Sequence, residues 1–404
     1  MSLIVQKFGG SSVADATKLR RVAGIITDAY KAGNNVIVVV SAQGDTTDDL
    51  IEKAKEINAN PSKREMDMLL STGEQISASL LAMTIESMGY PVISLTGWQC
   101  GMHTDSNYSA SRIKKVKAER INAELDKKRI VIVTGFQGIN KYDDITTLGR
   151  GGSDTSAVAL AAACHADLCE IYTDVDGVYT TDPRIVPEAK KLEEITFDEM
   201  LELASLGANV LHNRSVEMAK KYNVNLCVRS SITPDVEGTV VKEVVKMETM
   251  VVRGVAKDND VARISLCNIE DTPGKAFRIF SLLAKHNINV DLILQSIGRE
   301  NTKDISFTTS EGNLQQVLDI CEANKDIIGY KDISYNTNVS KVSIVGAGMV
   351  ANAGVAAKMF EALYDAHINI HMIATSEIKV SVLIDRGMEN KAVKAIHDKF
   401  ELGN

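Results

Sequence analysis

Aromatic residues are scarce in this sequence of 404 residues: they make up 5% of it, with a single tryptophan, Trp98. Proteins that hold single-stranded nucleic acid stack the bases on aromatic side chains, and most nucleic-acid binders present a basic face. Here the formal net charge is −8. The composition therefore excludes non-specific binding to nucleic acid or to anionic membranes, and we expect no nucleic-acid partner.

The sequence also lacks any run of about 18 apolar residues, which a membrane-spanning helix would need. Its first residues are typical of a strand and lack the basic region and longer apolar core of a signal peptide. The six cysteines are scattered without a CxxC pair, which predicts buried thiols in a reducing compartment. We therefore expect a cytoplasmic protein with no membrane partner.

Strands and helices alternate over roughly the first 240 residues of the chain. Apolar β-branched runs such as VIVVVSA are typical of strands that are buried on both faces of a sheet. Such alternation predicts a mostly parallel sheet between helices, with ligands at the carboxyl ends of the strands. Strands are predicted over 3–8, 36–42, 90–96, 129–136 and 169–175, and helices over 14–32, 65–88, 109–128, 154–165 and 197–222.

The C-terminal part contains an internal repeat at a constant offset of 80 residues. The segment GKAFRIFSLLAKHNINVDLILQS (274–296) aligns without gaps with GVAAKMFEALYDAHINIHMIATS (354–376), which indicates a duplicated unit. Each copy reads as strand, helix, strand, strand, helix, and the first copy adds a strand at 329–335. We expect the strand-like segment 247–257 to supply the missing strand of the second copy, so that the first copy is inserted within the second.

Two glycine-rich turns follow predicted strands and precede helices. The turn KFGGSS, which begins at Lys7, offers an ammonium and backbone N–H groups to an anion, although a plain strand–helix turn would show the same features. The turn GRGGSD, which begins at Gly149, adds the guanidinium of Arg150, and either Ser153 or Asp154 as the cap of the helix. It has more polar residues than capping requires, which favours an anion or metal–phosphate site.

Three further segments carry polar side chains near strand ends or helix starts. The segment YTDVDGVYTTDPR, from Tyr172, begins like a calcium loop but lacks a glutamate at the twelfth position, which favours a nucleotide-facing loop. The segment SAQGDTTD offers Ser41 and Thr47 as ligands. In STGEQ, Ser71 and Glu74 match a capping box at a helix start, and capping alone would account for Glu74.

Together these segments resemble the aspartokinase family over essentially the whole chain. The motifs KFGGSSV, SAxGDTTD, LLSTGEQIS, FQG, GRGGSDTSA, YTDVDGVYTTDPR and RSVE occur in the order and spacing of the family. The tail resembles the paired ACT domains that regulate these enzymes. The resemblance is to the short monofunctional type and implies an α/β fold, an amino-acid-kinase three-layer αβα sandwich with a mostly parallel central sheet followed by two βαββαβ (ferredoxin-like) ACT domains. The expected boundaries are 1–245 for the catalytic domain, 246–261 for a linker and strand, and 262–336 and 337–404 for the ACT domains.

The resemblance implies ATP-dependent phosphorylation of the side-chain carboxylate of L-aspartate to 4-phospho-L-aspartate, the first step of lysine, threonine and methionine biosynthesis. It implies that Lys7 and Asp154 are catalytic and that Asp154 organises Mg²⁺ near the ATP phosphates. The ATP-binding residues would be Lys7, Phe8, Gly9, Gly10, Thr173, Asp174, Tyr179, Arg184, Asn209 and Val210. The aspartate-binding residues would be Ser41, Thr47, Glu74, Arg150, Gly151, Gly152 and Ser153.

In this scheme Glu74 would face the ammonium of aspartate and Arg150 its α-carboxylate. A carboxylate nucleophile is already ionised, so catalysis would rest on positioning and on charge neutralisation by Lys7, Mg²⁺ and backbone N–H groups. The chain departs from the family at Asn209, where a lysine near the nucleotide is common, and at Asn213, where proline is common.

The ACT pair implies an allosteric effector, lysine and/or threonine, and a homo-oligomer formed through these domains, either a dimer or a dimer of dimers. A helix N-terminus would accept the effector carboxylate, and acidic or amide groups its ammonium; a dimerisation platform without a ligand is the alternative. The effector-binding residues would be Asp271, Gly274, Ala276, Asn289, Asp291, Gln295 and Ser296 in the first copy, and Asn352, Thr375, Ser376 and Glu377 in the second.

Two other functions share parts of this pattern. A related amino-acid kinase that acts on glutamate, carbamate or a nucleoside monophosphate would carry similar glycine-rich turns, but the aspartate-type motifs and the ACT pair disfavour it. A non-enzymatic amino-acid sensor would have a degenerate first domain, and the presence of Lys7, Arg150, Asp154 and Asp174 disfavours that alternative.

Overall fold

The computed structural model describes residues 2–206, 210–244, 250–297 and 301–403. The chain divides into two compact units. Residues 179–190, which begin in the second half of the predicted nucleotide loop and extend beyond it, belong to the second unit. The first unit comprises Met1–Val178, Lys191–Ser205 and Asn209–Met247, and the second comprises Tyr179–Lys190, Leu206–Ala208 and Glu248–Asn404.

The first unit is an α/β structure with a large and a small sheet. Its strands are β1 (Leu3–Phe8), β2 (Asn35–Val40), β3 (Val92–Leu95), β4 (Met102–Thr104), β5 (Ile113–Val116), β6 (Ile130–Thr134), β7 (Gln137–Ile139), β8 (Ile145–Thr147), β9 (Leu168–Thr173), β10 (Glu194–Thr196), β11 (Leu226–Ser230) and β12 (Thr239–Lys242). Its helices are α1 (Ala16–Lys31), α2 (Thr46–Ile57), α3 (Lys63–Ser87), α4 (Glu119–Asp126), α5 (Gly152–Ala163), α6 (Phe197–Ser205) and α7 (Asn213–Tyr222).

The large sheet has eight strands in the order β10-β12-β11-β9-β1-β2-β6-β3. Strands β11 and β12 run antiparallel, and the other neighbouring strands run parallel. The β-branched residues of β2 from Val36 onward, and all of β6, are buried, as expected for strands covered on both faces. The predicted αβα sandwich with a mostly parallel sheet is confirmed, and β1, β2, β6 and β9 end at the same edge.

Two of the predicted helices were wrong in extent. The segment predicted as one helix over 109–128 forms a loop, then β5, then the shorter α4. Its lysine-rich composition suits a helix, but β5 pairs with β4 in the small sheet, and this tertiary contact overrides the local preference. The helix predicted over 197–222 is divided, because α6 ends at Ser205 and α7 starts at Asn213 after the cap of His212.

The second unit contains two four-stranded antiparallel sheets, in the predicted ferredoxin-like arrangement. Its strands are β13 (Gly254–Asp258), β14 (Ala262–Glu270), β15 (Ile293–Ile297), β16 (Thr302–Thr309), β17 (Asp332–Asn336), β18 (Val339–Val345), β19 (Met372–Thr375) and β20 (Lys379–Asp385). Its helices are α8 (Lys275–Lys285), α9 (Leu314–Ala323), α10 (Lys325–Ile328), α11 (Val355–Asp365) and α12 (Glu389–Lys399).

The sheet orders are β15-β16-β14-β17 and β13-β18-β20-β19. Strand β13 pairs antiparallel with β18, with Gly254 opposite Val345 and Asp258 opposite Lys341. It therefore takes the place in the second sheet that β17 takes in the first. The part of the predicted strand segment at 247–249 lies outside the described residues.

The segment 179–190 is built into the core of the second sheet. Val186 is fully buried there, among residues that include Val255 and Ile396. The carbonyl oxygen of Thr180 accepts a hydrogen bond from the N–H of Val255 at 2.8 Å, and its hydroxyl is 3.0 Å from Nε2 of His397. These contacts are the physical reason why the segment belongs to the second unit.

Two expectations drawn from composition concern the cysteines and membrane-spanning helices. All six cysteines are free thiols, and four of them are buried. Among the residues that the structure describes, no helix has the length and apolar character needed to cross a membrane.

Candidate active site

A cavity of about 240 Å³ lies at the carboxyl ends of β1 and β2, beside the first turn of α5 and the middle of α3. This is the sheet edge at which parallel α/β structures bind their ligands. It gathers predicted residues from segments that are far apart in the sequence. The cavity is lined by Lys7, Gly10, Ser41, Ala42, Gly44, Thr47, Glu74, Phe136, Gly149, Arg150, Gly151, Gly152, Ser153 and Asp154.

Lys7 and Asp154 form an ion pair in this cavity. The Lys7 ammonium nitrogen is 2.7 Å from a carboxylate oxygen of Asp154, and each side chain is only 12% exposed. Lys7 lies at the end of β1, and Asp154 lies in the first turn of α5, where the helix dipole favours negative charge. A mostly buried ion pair contributes little net stability, which favours a functional role for both groups.

The structure corrects the predicted cap of α5. The N-cap residue is Gly151, with φ of +68°, whereas Ser153 and Asp154 lie inside the first turn. A Cβ at position 151 would lie 2.2 Å from Cγ of His212, so only glycine fits. Because no side chain caps this helix, the carboxylate of Asp154 is left for Lys7 and the cavity.

Glu74 was predicted to act in a capping box, and this part of the prediction was wrong. Ser71 and Glu74 lie within α3, whose cap is Ser62, which accepts the N–H of Glu65. One oxygen of Glu74 accepts the N–H of Ala42 at 3.1 Å, and the other is buried without a hydrogen-bond partner. Burial raises the pKa of Glu74 to about 7, although the N–H of Ala42 opposes the shift. A buried carboxylate that lines a cavity and has one oxygen without a hydrogen-bond partner suits a cationic ligand.

Arg150 is exposed, and the backbone on either side of it is constrained. Gly149 and Gly151 both have positive φ, of +77° and +68°. The N–H of Gly152 donates to the carbonyl of Gly149 at 3.0 Å, which closes a tight turn. The carbonyl of Leu148 accepts a hydrogen bond from the guanidinium of Arg214 at 2.6 Å. The turn therefore presents the Arg150 guanidinium to the cavity from a fixed backbone.

Beyond Lys7, the first glycine-rich turn contributes backbone atoms and open space rather than polar side chains. Phe8 is fully buried, and its ring stacks on Tyr172 with the ring centroids 4.6 Å apart. A Cβ at Gly10 would lie 2.5 Å from the carbonyl oxygen of Ala42, so glycine allows the two loops to approach. A Cβ at Gly9 would lie 3.5 Å from the Lys7 ammonium. Gly9 therefore leaves the space beside the Lys7 ammonium open.

The remaining predicted nucleotide residues are divided between the two units. Thr173 ends β9, which neighbours β1 in the sheet, and its hydroxyl donates to Asp174 at 2.8 Å. Tyr179 and Arg184 belong to the second unit, where the guanidinium of Arg184 contacts both carboxylate oxygens of Asp182. Val210 is described as a turn residue before α7, whereas Asn209 lies outside the described residues. Asn213 starts α7 at a position that also suits proline, and its amide donates to Ser205 at 2.9 Å.

Four residues that line the cavity were not among the predicted site residues: Ala42, Gly44, Phe136 and Gly149. Gly44 and Phe136 both have positive φ, of +47° and +68°. Each follows a buried strand of the large sheet, β2 or β6, at its carboxyl end. The rule that selected Ser41, the position of polar or turn residues after a buried strand, would have found them as well.

The turns predicted to bind an effector are similar in the two small sheets. Gly274 and Gly354 cap α8 and α11 with φ of +93° and +90°, and a Cβ at either position would meet no atom within 4 Å. Asp271 is 2.9 Å from the ammonium of Lys303, a side chain only 9% exposed. Asp291 contacts the ammonium of Lys341, which also pairs with Asp258. The other predicted polar residues are exposed at these turns and strands: Asn289, Gln295, Ser296, Asn352, Thr375, Ser376 and Glu377.

Comparison with known protein families identifies three regions of the chain. Residues 2–230 match the model of the amino acid kinase family, and residues 264–324 and 342–400 each match a model of the ACT domain. The first match covers the cavity and all strands of the large sheet except β12, and the other two lie in the duplicated unit.

Individual relatives are similar over their full length. The chain is 50% identical over 403 residues to the aspartokinase of Bacillus sp. strain MGA3 and to that of Geobacillus stearothermophilus, and covers 98% of each. Among solved structures, it superposes on E. coli aspartokinase III in complex with aspartate and ADP with a TM-score of 0.82 at 26% identity, covering 98% of this chain and 99% of that one. The chain therefore belongs to the amino acid kinase family and, within it, to the aspartokinases that carry two ACT domains.

Proposed function

We propose that this aspartate kinase transfers the γ-phosphoryl group of ATP to the side-chain carboxylate of L-aspartate and releases 4-phospho-L-aspartate and ADP. The observation that carries the proposal is the cavity. It combines an ion-paired lysine (Lys7), a buried carboxylate with one unpartnered oxygen (Glu74) and an exposed guanidinium (Arg150). These charges complement a phosphoryl group and the ammonium and α-carboxylate of an amino acid. The aspartate and ADP bound by E. coli aspartokinase III support the same pair of ligands.

In the proposed complex, Glu74 pairs with the ammonium of aspartate and Arg150 binds its α-carboxylate. Ser41, Thr47 and the turn residues 151–153 would complete the aspartate pocket. Since Glu74 already accepts the N–H of Ala42 through one oxygen, its second oxygen is available to the substrate. The substrate ammonium would then donate a hydrogen bond to this second oxygen of Glu74.

The nucleotide would lie along the same sheet edge, with its phosphates near Lys7, Gly9 and Gly10. Thr173 and Asp174 follow the neighbouring strand β9 and would contact the nucleotide from there. Tyr179, Arg184, Asn209 and Val210 are proposed to contribute to ATP binding on the resemblance to the family alone.

The transfer itself requires positioning and charge neutralisation. A side-chain carboxylate oxygen of aspartate attacks the γ-phosphorus, and the bond from that phosphorus to the oxygen bridging to the β-phosphate breaks. No proton has to be removed from the nucleophile, because it is a carboxylate at neutral pH. Lys7 neutralises charge on the transferred group, as an electrostatic donor in a mostly buried site.

The residues present fit a magnesium ion that is held together with the nucleotide. Asp154 offers a mostly buried carboxylate in the cavity, and the described residues contain no group of three or more Asp, Glu, His or Cys that would hold a metal by themselves. Mg²⁺ is commonly bound by one or two carboxylates and by substrate phosphates. We therefore propose Asp154 as its protein ligand, where the ion would neutralise charge on the phosphates.

The assay that tests this function follows ATP turnover with L-aspartate, trapping the acyl phosphate with hydroxylamine. We expect hydroxamate to form in amounts equal to the ADP released, and only with L-aspartate. Formation with L-glutamate, carbamate or a nucleoside monophosphate instead would identify another amino-acid kinase. No turnover with any of these acceptors would favour an amino-acid sensor.

We further propose that the enzyme acts at the first step of lysine, threonine and methionine biosynthesis and is inhibited by lysine and/or threonine bound at the ACT turns. E. coli aspartokinase III, which is 27% identical and superposes with a TM-score of 0.76, has been crystallised with lysine and aspartate in a T-state. The open glycine caps of α8 and α11 and the exposed polar residues around them support an amino-acid ligand. Assembly into a dimer or a dimer of dimers would use the same domains.

Replacing Asp271 with alanine should desensitise the enzyme without impairing catalysis. Lys303 now neutralises Asp271, so an effector ammonium would compete for a carboxylate that already has a partner. We expect the effector concentration for half-inhibition to rise at least about tenfold, because a hydrogen bond to a charged group contributes about 1.5–3 kcal/mol, while kcat stays within about twofold.

The matched control is Asp365→Ala. Its carboxylate is 59% exposed, close to the 55% of Asp271, and it pairs with Lys399 on α12 away from both turns. This variant should keep normal inhibition by lysine and threonine. If Asp271→Ala were inhibited like the wild type, Asp271 would not belong to the effector site.

A further inference from the structure

Asp67 is a fully buried carboxylate that has no role in the mechanism described so far. It lies on α3, two turns before Glu74, and is 0% exposed. Its two oxygens accept the backbone N–H of Ser109 at 3.0 and 2.9 Å, and the hydroxyl of Ser109 is 3.2 Å away. The N–H and the hydroxyl of Thr147 each donate to it at 2.8 Å. A charge in the protein interior is thus compensated by four donors from two distant segments.

Both segments adjoin the turn that carries Arg150, Thr147 along the chain and Ser109 by contact with Gly149. Thr147 is the last residue of β8, three positions before Arg150. Ser109 has a φ of +67°, which is uncommon for a residue other than glycine, and a Cβ at Gly149 would lie 3.0 Å from its carbonyl oxygen. By holding Ser109 in this conformation, Asp67 also holds the surface on which Gly149 packs.

The backbone next to this turn is also held by Arg214 on α7. Its guanidinium donates to the carbonyl of Leu148 at 2.6 Å and to that of Ser111 at 3.0 Å. The N–H of Ser111 in turn donates to the carbonyl of Thr147 at 2.9 Å. The backbone before Arg150 is therefore held from two helices, while the Arg150 side chain is exposed.

We propose that Asp67 is a positioning residue that fixes the turn bearing Arg150 and thereby sets the affinity for L-aspartate. This inference rests on the role of Arg150 in the proposed function. A guanidinium that binds a carboxylate through two hydrogen bonds needs a defined orientation, and a displacement of about 1 Å can cost on the order of 10²-fold in activity.

Asp67 and Glu74 lie on the same helix, α3, so the positioning role of Asp67 also concerns Glu74. Both carboxylates are on the buried face of α3. One of them is proposed to bind the substrate ammonium, and the other holds the turn that binds the α-carboxylate. The helix thus fixes, relative to each other, the two groups that recognise the α-amino-acid end of the substrate.

The test compares four variants in steady-state kinetics with both substrates varied. Asp67→Asn should raise the KM for L-aspartate by about 10–100-fold, because an amide cannot accept from all four donors. Thr147→Val, which removes one hydroxyl at nearly constant shape, should raise it about tenfold. Thr147→Ser keeps the hydroxyl and should stay within about twofold of the wild type. The KM for ATP should change by less than about twofold in all of them.

The fourth variant, Glu124→Gln, is the matched control. Glu124 is also a buried carboxylate of the first unit, with a side chain 2% exposed, but its partners are Arg120, Lys127 and Arg129. Replacing Glu124 should leave both KM values unchanged. If the loss of any buried carboxylate raised the KM simply by destabilising the fold, Glu124→Gln would raise it as well. Should Asp67→Asn fail to fold, the comparison of Thr147→Val with Thr147→Ser decides.

A KM for aspartate within about twofold of the wild type in the folded variants, or an equal rise in both KM values, would overturn the positioning role. An active wild-type enzyme with such variants would refute this inference alone. Absence of aspartate-dependent turnover in the wild type would refute the proposed function, and this inference with it.

Discussion

Replacing Lys7 with alanine should lower kcat by roughly 10²–10³, or about 3–4 kcal/mol, the scale of one lost transition-state donor. The change removes the ammonium that would neutralise the transferred phosphoryl group. It also removes the ion-pair partner of Asp154, whose carboxylate lies 2.7 Å from that ammonium in the wild type. The KM for aspartate should change much less, because Glu74 and Arg150 would still hold the substrate. Steady-state kinetics with saturating ATP and aspartate measures this effect.

Two control variants distinguish the catalytic role of Lys7 from a general effect of removing a lysine charge. Lys31→Ala removes an ion-paired lysine on the exposed face of α1 and should leave kcat unchanged. Lys7→Arg keeps the charge in a wider group and should recover part of the activity. A kcat of Lys7→Ala within threefold of the wild type would rule out the assigned role of Lys7.

The second large effect is expected at Glu74. Burial raises its pKa to about 7, so the carboxylate that would bind the substrate ammonium becomes protonated as the pH falls through 7. We therefore expect kcat/KM for aspartate to fall about tenfold per pH unit below 7, since this ratio reports groups of the free enzyme. In the complex the ammonium favours the ionised form and lowers the pKa of Glu74, so kcat should keep its value to lower pH.

Glu74→Gln should lower kcat/KM for aspartate at pH 8 by roughly 10²–10³, about 3–4 kcal/mol for the loss of one partner of a buried charge pair. It should also abolish the dependence of this ratio on pH near 7. Glu86→Gln, an exposed position on the same helix, should do neither. A pH profile of Glu74→Gln that runs parallel to that of the wild type would assign the titration to another group.

The cavity residues that sequence patterns predicted best are those in short glycine-rich turns. Lys7 and Arg150 could be found because the turn, the preceding strand and the following helix are all encoded within about ten residues. The large parallel sheet could be predicted for a similar reason, since its buried strands are continuous β-branched runs.

The residues on α3 could be interpreted less well, because their environment depends on contacts across the fold. Glu74 matched a capping box locally, yet the helix begins at Lys63 and Glu74 is buried against the loop after β2. Asp67 was missed, although a signal was present. The buried residues of this helix recur at helical spacing, and Asp67 and Glu74 are on the same stripe as Leu70, Leu81 and Ile85. A carboxylate on the apolar stripe of a helix indicates a buried polar contact.

The segment before α4 shows a different limit. Strand β5 lies within the lysine-rich segment 109–128, whose composition suits a helix, and nothing local indicates that β5 pairs with β4. Strands of three or four residues gain their stability from the rest of the fold, so the small sheet is not visible in hydrophobic periodicity.

The pairing of β13 with β18 has a consequence for how the protein is made. Strand β13 is synthesised before the four strands of the first ACT sheet, and its partner β18 is synthesised after them. The two strands can therefore pair only after the whole first ACT sheet has left the ribosome. Closing so long a loop is slow, so the first ACT sheet, whose four strands are contiguous, should fold earlier. During that interval the apolar face of β13 has no partner strand and is open to aggregation. The nested order of the two sheets therefore imposes an order of co-translational folding, with the inner domain completed before the outer one.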